Sequence, residues 1–375
     1  MKKVNRLILV GNGFDLAHNL ETSYNNFVLW YLKKCFEDSQ INHHYEDDLI
    51  TVHFKNDGSF QRLSSLHIKD VPSFVNHFYE IGFNKLKSNS FTVDGWNNTW
   101  LNPFKVNIKS KFVEMIITEC HSSRWVDIEN LYYDELKSII NSVGRLDKEK
   151  EIKDLNKSLE TIITELQIYL YEIVQNTNSI LDYNKIIRSP FEASEFVDES
   201  LFSSVQTSIG ETLILNFNYT PTVEQYLSGP NLEINYIHGQ LRSTQNPVIF
   251  GFGDELDPQY SSFELAKTKG IFDFIKSFWY FKTSNYRDLI RFIESNDYQI
   301  YILGHSCGLS DRTMLNMIFE HDNCRSIKIY YHHLTGKNNY TGLTQEVSRH
   351  FKDKQKMRRR IVPFNKSEPM PQITK

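Results

Sequence analysis

The amino-acid sequence predicts an α/β protein built on a parallel β-sheet, and three observations lead to this prediction. An apolar run at residues 7–10 ends in a glycine turn, Gly11-Asn12-Gly13. Between residues 206 and 345, short apolar runs alternate with stretches of helical periodicity, as in strands joined by helices. Several of these runs are followed directly by glycine or polar residues. In a parallel sheet, the residues that follow the strands lie at the edge where ligands bind.

The first run and its turn are typical of a buried strand that turns sharply into a helix. Glycine lets the backbone come close to a ligand, and N–H groups at the start of the following helix attract phosphate. A dinucleotide fingerprint has a third glycine, and Leu16 stands at that position. These residues alone therefore support a nucleotide site and a tight turn without a ligand equally well.

Apolar, strand-like runs predict the rest of the sheet. They lie at residues 212–215, 234–237, 248–250, 299–303 and 327–330, and helical stretches at 262–272, 284–296 and 311–320 separate several of them. We expect the strand at residues 6–10 to join this sheet from far away in the sequence.

The middle of the chain has a different pattern. Apolar residues recur at spacings of three and four within residues 128–143 and 152–173, which predicts helices with one apolar face, and residues 43–70 indicate a loop or short hairpin. At 375 residues the chain is long for one simple domain. We predict a discontinuous nucleotide-binding core at 1–30 and 206–345, a large helical insertion at 31–205 between the first strand and the rest, and a basic C-terminal tail at 346–375.

Composition excludes several classes of protein. The net charge of −4 gives no general attraction to nucleic acid, and no apolar run approaches the length of a membrane span. We expect a cytoplasmic protein with reduced cysteines, because none of its four cysteines forms a Cys-x-x-Cys pair or has a zinc-like histidine spacing. No metal site is predicted.

Four predicted strands are followed by residues suited to ligand binding. These sets are Gly11-Asn12-Gly13, Asn216-Phe217-Asn218-Tyr219-Thr220, His238-Gly239 and Gly304-His305-Ser306. Each has a structural explanation: a helix cap, a hydrogen-bonded core histidine or a tight turn. Residues 304–308 also match the Gly-x-Ser-x-Gly pattern of serine hydrolases. We favour the nucleotide site, because Asp311 and His321 follow Ser306 too closely to come from separate strand-end loops.

The stretch from Gly11 to Tyr24, followed by Phe27, resembles the opening of the bacteriophage abortive-infection AbiH family, which is similar to sirtuin-like NAD-binding domains. Here Asn19 and Glu21 replace the Gly and Pro of a usual Gly-Leu-Pro-Thr. Residues 125–129, Trp-Val-Asp-Ile-Glu, resemble a further AbiH motif, although they also suit the start of a helix. The resemblance implies a Rossmann-like sheet of the sirtuin-like type.

The resemblance also implies roles for individual residues. His238 with Gly239 stands at the catalytic His-Gly, and Asn218 at the residue that contacts NAD, while Thr220 replaces the usual Asp. Gly304, Ser306 and Asp311 match a motif that binds the adenosine side. The diphosphate is expected at the glycine turn, and Asp15 either contacts the ribose or caps the helix. The expected catalytic residues are His238 and Asn218, and the expected binding residues are Gly11, Asn12, Gly13, Phe14, Asp15, Tyr24, Thr220, Gly239, Gly304, Ser306 and Asp311.

The resemblance implies a phage-defence protein that hydrolyses NAD to nicotinamide and ADP-ribose in infected cells. The four-cysteine zinc module of sirtuin deacetylases is missing from the sequence, which favours a nucleotide substrate. One alternative is a sensor that binds NAD or ADP-ribose without catalysis. A second is a nucleic-acid-directed effector, supported only by the basic residues at 352–360. If a phage-derived trigger is needed for activity, the protein is inactive in healthy cells. The helical zone offers surface for self-association, although its apolar faces can equally be covered within the chain.

Overall fold

The computed structural model describes residues 3–55, 63, 67–78, 103–123, 127–142, 147–174, 183–197, 208–334 and 336–373. The chain divides into two compact units. Unit 1 contains residues 1–21, 170–261 and 274–375, and unit 2 contains residues 22–169 and 262–273. Each unit is described separately.

The strands and helices follow one another along the chain. The strands are β1 (Lys3–Val10), β2 (His44–Glu46), β3 (Ile50–Phe54), β4 (Phe104–Ile108), β5 (Ser208–Asn216), β6 (Leu232–Tyr236), β7 (Tyr298–Leu303), β8 (Cys324–Tyr331), β9 (His333–Leu334), β10 (Lys337–Asn338) and β11 (Glu368–Pro369). The helices are α1 (Asn12–Ala17), α2 (Tyr24–Asn42), α3 (Val71–His77), α4 (Lys111–Ser123), α5 (Ile128–Asn141), α6 (Lys148–Val174), α7 (Asn184–Arg188), α8 (Tyr260–Leu265), α9 (Lys276–Trp279), α10 (Asn285–Ser295), α11 (Arg312–Glu320), α12 (Tyr340–Arg349) and α13 (Lys354–Arg360).

Unit 1 is built on a six-stranded sheet in the order β11-β8-β7-β1-β5-β6. Every pairing in it is parallel, and Leu7 of β1 lies opposite both Leu213 of β5 and Ile300 of β7. The prediction that the N-terminal strand joins strands from the second half of the chain is confirmed. The α/β class with a parallel sheet is confirmed with it.

Both faces of this sheet are buried, which explains why its central strands are rich in apolar residues. Leu7 and Leu9 of β1 point into one core with residues of α10 and α11, whereas Ile8 and Val10 point into a second core with residues of α1 and α7. This alternation follows from the two-residue period of a strand. Helices therefore cover both faces of the sheet. A ligand can approach the sheet at the carboxyl edge of its strands, where ligands usually bind in such folds.

Unit 2 combines helices with a small antiparallel sheet, β2-β3-β4. The hairpin expected within residues 43–70 is formed by β2 and β3, whose register places Tyr45 opposite Val52. The helices predicted from apolar periodicity are present as α5 and α6. Their apolar faces are buried, with Leu136 of α5 and Leu159 of α6 both fully covered.

Two predicted elements differ from the structure. Residues 248–250 do not form a strand, because the Ile249 N–H donates to the carbonyl of His238 (2.8 Å) and this segment folds back on the loop after β6. The helix predicted over 262–272 is confined to α8 and ends at Leu265.

The compact units also differ from the expected domain boundaries. Unit 1 resumes at residue 170 rather than 206, because Tyr183, Ile187 and Phe196 pack in the core beneath the sheet. The segment expected as a basic tail, residues 346–375, contains α13 and the edge strand β11 within its described residues, and β11 pairs with β8.

Candidate functional site

The glycine turn after β1 packs against the turn after β7. The Gly13 N–H donates to the Gly304 carbonyl (2.8 Å), and a Cβ atom on Gly13 would lie 2.8 Å from that same oxygen. A Cβ on Gly11 would lie 2.5 Å from the Cα of His305. Gly304 has a φ of +72°, and a Cβ there would overlap the backbone of Gly13 and Phe14. These glycines are therefore required by the close approach of two turns, whether or not a ligand binds.

Most N–H groups at this turn already have partners within the protein. Gly11 donates to the Leu303 carbonyl (3.2 Å), Gly13 to Gly304, and Phe14 to the Gly11 carbonyl (2.8 Å). Asn12 and Ser306 are the exposed side chains of the two turns. A phosphate at this edge would thus contact side chains of the two adjacent turns, because most backbone N–H groups of the glycine turn already donate hydrogen bonds within the protein.

The loop after β5 is bonded to the glycine turn through two side chains. Asn218 Nδ2 donates to the Gly11 carbonyl (3.0 Å), and Thr220 Oγ1 donates to Asp15 Oδ2 (2.5 Å). Asn216 orients the loop by accepting the Asn218 N–H (3.1 Å). The residues predicted at the ends of β1 and β5 therefore lie together.

Asp15 is buried beneath this loop, with 1% of its surface exposed. Burial raises the pKa of Asp15 to about 6, although the hydrogen bond from Thr220 acts in the opposite direction. Its second oxygen, Oδ1, is buried without a hydrogen-bond partner among the described residues. The carboxyl group therefore changes its protonation state close to neutral pH.

A second cluster is centred on the carboxylate of Asp311, just before α11. His238 Nε2, in the loop after β6, lies 3.0 Å from Asp311 Oδ1, and Lys276 Nζ lies 2.9 Å from the same oxygen. All three side chains are buried. Burial by itself would raise the pKa of Asp311, but the charge of Lys276 and the contact with His238 outweigh it and hold that pKa well below its usual range.

The charge on Asp311 determines which nitrogen of His238 carries the proton. An ionised carboxylate can only accept hydrogen bonds, so His238 donates through Nε2 and its lone pair lies on Nδ1. The hydroxyl group of Tyr280 also lies 3.2 Å from Nε2. The imidazole is therefore held in one tautomer and one orientation, the arrangement that a positioned base requires.

His305 completes the cluster on the side of the glycine turn. Its Nδ1 accepts the N–H of Cys307 (3.0 Å), and its Nε2 lies 3.9 Å from Asp311 Oδ2. Burial lowers the pKa of His305 to about 4, so the ring is neutral at pH 7. Phe217 packs against His305 with ring centroids 4.0 Å apart and contacts His238 edge-on. The aromatic ring of Phe217 therefore contacts both histidines.

The structure brings most of the predicted site residues to one edge of the sheet of unit 1. Gly239 adopts a φ of +82° directly after His238, and Phe14 is buried against Tyr183 and His18. Tyr24 belongs to unit 2, where it begins α2. The roles assigned to these residues remain predictions, and Asp311, expected on the adenosine side, is bonded to His238.

Sequence reasoning did not select Lys276 or Tyr280, and it placed His305 in the turn after β7 without a role in this cluster. Lys276 stands among apolar residues in the stretch Phe274-Ile275-Lys276. A charged residue in a mostly apolar stretch is a signal of a buried ion pair and could have identified it, although Asp273 stands in the same stretch. Lys276 and Tyr280 do not follow a strand of the sheet, so the strand-end rule could not find them.

The motif at residues 125–129 lies partly outside the described residues, which include only Asp127, Ile128 and Glu129 of it. Asp127 caps α5 by accepting the Asn130 N–H (3.1 Å). This matches the helix-start explanation of its acidic residues.

Fold and site define this chain as an α/β protein with a polar, histidine-containing cluster at the carboxyl edge of a parallel sheet. The model of the family described as "Bacteriophage abortive infection AbiH" matches residues 7–333, and the chain belongs to this family. The match supports a role in abortive-infection defence against phage. A search of curated proteins found no match.

Two further observations concern the described part of the chain only. It contains no helix that is long and apolar enough to cross a membrane. It also contains no group of three or more His, Cys, Asp or Glu side chains arranged to hold a metal ion.

Proposed function

We propose that this AbiH protein hydrolyses NAD to nicotinamide and ADP-ribose in infected cells, and that the loss of NAD stops phage growth. The observation that carries the proposal is the meeting of four loops, after β1, β5, β6 and β7, at the carboxyl edge of one parallel sheet. This edge is the usual ligand site of open α/β sheets. The order of these loops along the chain resembles that of sirtuin-like NAD-binding domains.

His238 is the proposed general base. Hydrolysis breaks the bond between the ribose C1′ and the nicotinamide nitrogen, and the bonding electron pair leaves with the cationic ring, so no strong acid is needed. Water attacks C1′ of the oxocarbenium-like ribose and gives its proton to His238 Nδ1. Asp311 supports this step because it keeps the other proton of the ring on Nε2.

The remaining side chains hold the substrate. Asn218 lies beside the glycine turn and is placed to hold a ribose hydroxyl or the attacking water. The diphosphate is proposed to lie against Asn12 and Ser306, the exposed side chains of the two turns. Asp15, whose buried Oδ1 has no hydrogen-bond partner among the described residues, would accept a hydrogen bond from a substrate hydroxyl or amide group.

The test is direct. The purified full-length chain is incubated with NAD, alone and with lysate from phage-infected cells, and nicotinamide is quantified. His238→Ala should lower turnover by about 10²–10⁴-fold, the usual effect of losing a general base. His321→Ala is the matched control: this histidine contacts Tyr298 at the start of β7, at the opposite edge of the sheet, so turnover should be unchanged.

The same variants separate an enzyme from a sensor. An enzyme releases nicotinamide, whereas a sensor binds NAD and returns it intact. If His238→Ala still protects cells from phage and NAD stays constant during infection, the proposed hydrolysis is wrong.

A further inference from the structure

We propose that Lys276 is a positioning residue of this site: its buried ammonium group balances the Asp311 carboxylate, so that His238 stays neutral and keeps Nδ1 available. The inference rests on the proposed function only in the statement that His238 acts as a base.

The geometry places one carboxylate oxygen between two nitrogen atoms. Asp311 Oδ1 is 2.9 Å from Lys276 Nζ and 3.0 Å from His238 Nε2. Lys276 is 0% exposed. A lysine buried this completely is rare unless it is paired, and the pair with Asp311 meets that condition.

The backbone around Lys276 is held firmly. Its N–H donates to the Phe252 carbonyl (2.9 Å), and Ile275 forms a bridge with Phe252. The backbone of Lys276 is therefore fixed, and its side chain extends from that point to Asp311.

The charges in the cluster determine its proton affinity. When His238 is neutral, the positive charge of Lys276 and the negative charge of Asp311 sum to zero. Protonation of His238 would leave a net positive charge in a buried place, which is costly. Without Lys276, the same protonation would neutralise the cluster instead. Lys276 therefore opposes proton uptake by the His238–Asp311 pair.

The other titratable groups around the pair do not supply this charge. The hydroxyl group of Tyr280 faces His238 Nε2. His305 faces Asp311, and burial lowers its pKa to about 4. His350 is bonded to the Cys307 carbonyl (2.8 Å), and burial lowers its pKa as well. His305 is therefore neutral at pH 7, and burial favours the neutral form of His350 too.

Histidine NMR titration of the full-length chain tests the inference without any assay of activity. The chain is labelled with ¹³C at histidine Cε1, and the His238 resonance is assigned by its loss in His238→Gln. In Lys276→Met the His238–Asp311 pair should take up its proton about one to two pH units higher than in the wild type. Lys276→Gln, which keeps a hydrogen-bond donor without the charge, should give the same shift.

Lys328→Met is the matched control. Lys328 is also buried in unit 1, at 2% exposed, and lies 2.9 Å from Glu195. Its loss removes a buried ion pair that does not touch the cluster, so the His238 titration should not move. A shift of equal size in this control would overturn the inference, because the effect would then be a general loss of packing.

Folded Lys276→Met or Lys276→Gln with a wild-type titration would overturn the inference. If neither single variant folds, the double variant Lys276→Met/Asp311→Asn decides. Folding of the double variant shows that the two charges compensate each other and supports the inference, whereas its failure to fold assigns the pair to packing and overturns it. If the Lys276 variants show the expected upward shift of the His238 titration but the wild type releases no nicotinamide, the role of Lys276 is supported and NAD hydrolysis is refuted.

Discussion

Asp15 and His305 are buried ionisable side chains at the same edge of the sheet, and burial moves their proton equilibria in opposite directions. It raises the pKa of Asp15 to about 6 and lowers that of His305 to about 4. Both shifts favour the neutral form, as expected where charge is poorly solvated. Their effects on stability therefore have opposite signs.

The raised pKa of Asp15 predicts how its contribution to the free energy of unfolding changes with pH. In the folded chain Asp15 loses its proton near pH 6, whereas an unfolded aspartate does so near pH ~4. Between these values the folded state holds more protons, so the contribution of Asp15 to the free energy of unfolding falls as the pH rises. Relative to the wild type, Asp15→Asn should become more stable by roughly 2–3 kcal/mol between pH ~4 and ~7.

Denaturant unfolding of both chains at a series of pH values measures this difference. Comparing the two chains cancels the contribution of His305, which has the opposite sign. A stability difference that does not change with pH would mean that Asp15 ionises normally and is better solvated than the structure indicates.

The two turns at the centre of the sheet depend on each other. The turn after β1 fits only because glycine stands at residues 11 and 13, and the turn after β7 fits only because glycine stands at 304. A bulky substitution such as Gly11→Val would press on the backbone of His305. Loss of NAD binding in that variant would not distinguish a blocked phosphate site from a damaged fold.

Gly304→Ala is expected to destabilise unit 1 by about 3 kcal/mol or more, because it combines a left-handed backbone with overlap on Gly13 and Phe14. Gly336→Ala is the control, since Gly336 has almost the same φ, +74°, with no atom within 4 Å of its Cβ position. That variant should lose only about 1 kcal/mol. Equal losses of unfolding free energy in the two variants would contradict the close contact between the turns.

The sheet of unit 1 is completed by residues from the end of the chain. Strand β11 pairs with β8, and the Val362 N–H donates to the Ile327 carbonyl (2.9 Å). Val362 is fully buried, whereas the basic side chains Arg358 and Arg359 of α13 are exposed. Arg358 and Arg359 thus lie on the outer surface of a segment that is anchored by buried residues, and Arg360 is one of the buried ones.

Val362→Ala should therefore lower the free energy of unfolding by about 2 kcal/mol, since it removes two buried methyl groups and leaves a cavity. Arg359→Ala, a change of an exposed side chain in the same segment, should stay within about 0.5 kcal/mol of the wild type. Chemical denaturation measures both. An unchanged stability in Val362→Ala would show that the segment is a detached tail.

The sequence by itself determined the local elements and their order. Mostly apolar runs identified β1, β5, β7 and β8, although Gln299 stands in β7 and Lys328 in β8. Strands buried on both faces are rich in apolar residues. Apolar spacing identified α5 and α6. The strand-end rule also located Asn218 beside Gly11 and His238 near His305, since parallel strands end at one edge.

Only the tertiary structure decided which side chains meet across that edge. Lys276, Tyr280 and Asp311 reach His238 from segments that no periodicity connects, and their pairing depends on the path of the chain after residue 250. Residues 248–250 have the composition of a strand, but the Ile249 N–H is used by the His238 carbonyl instead of a neighbouring strand. Local sequence sets what a segment can form, whereas partners distant in sequence set which hydrogen bonds and buried charges it finally satisfies.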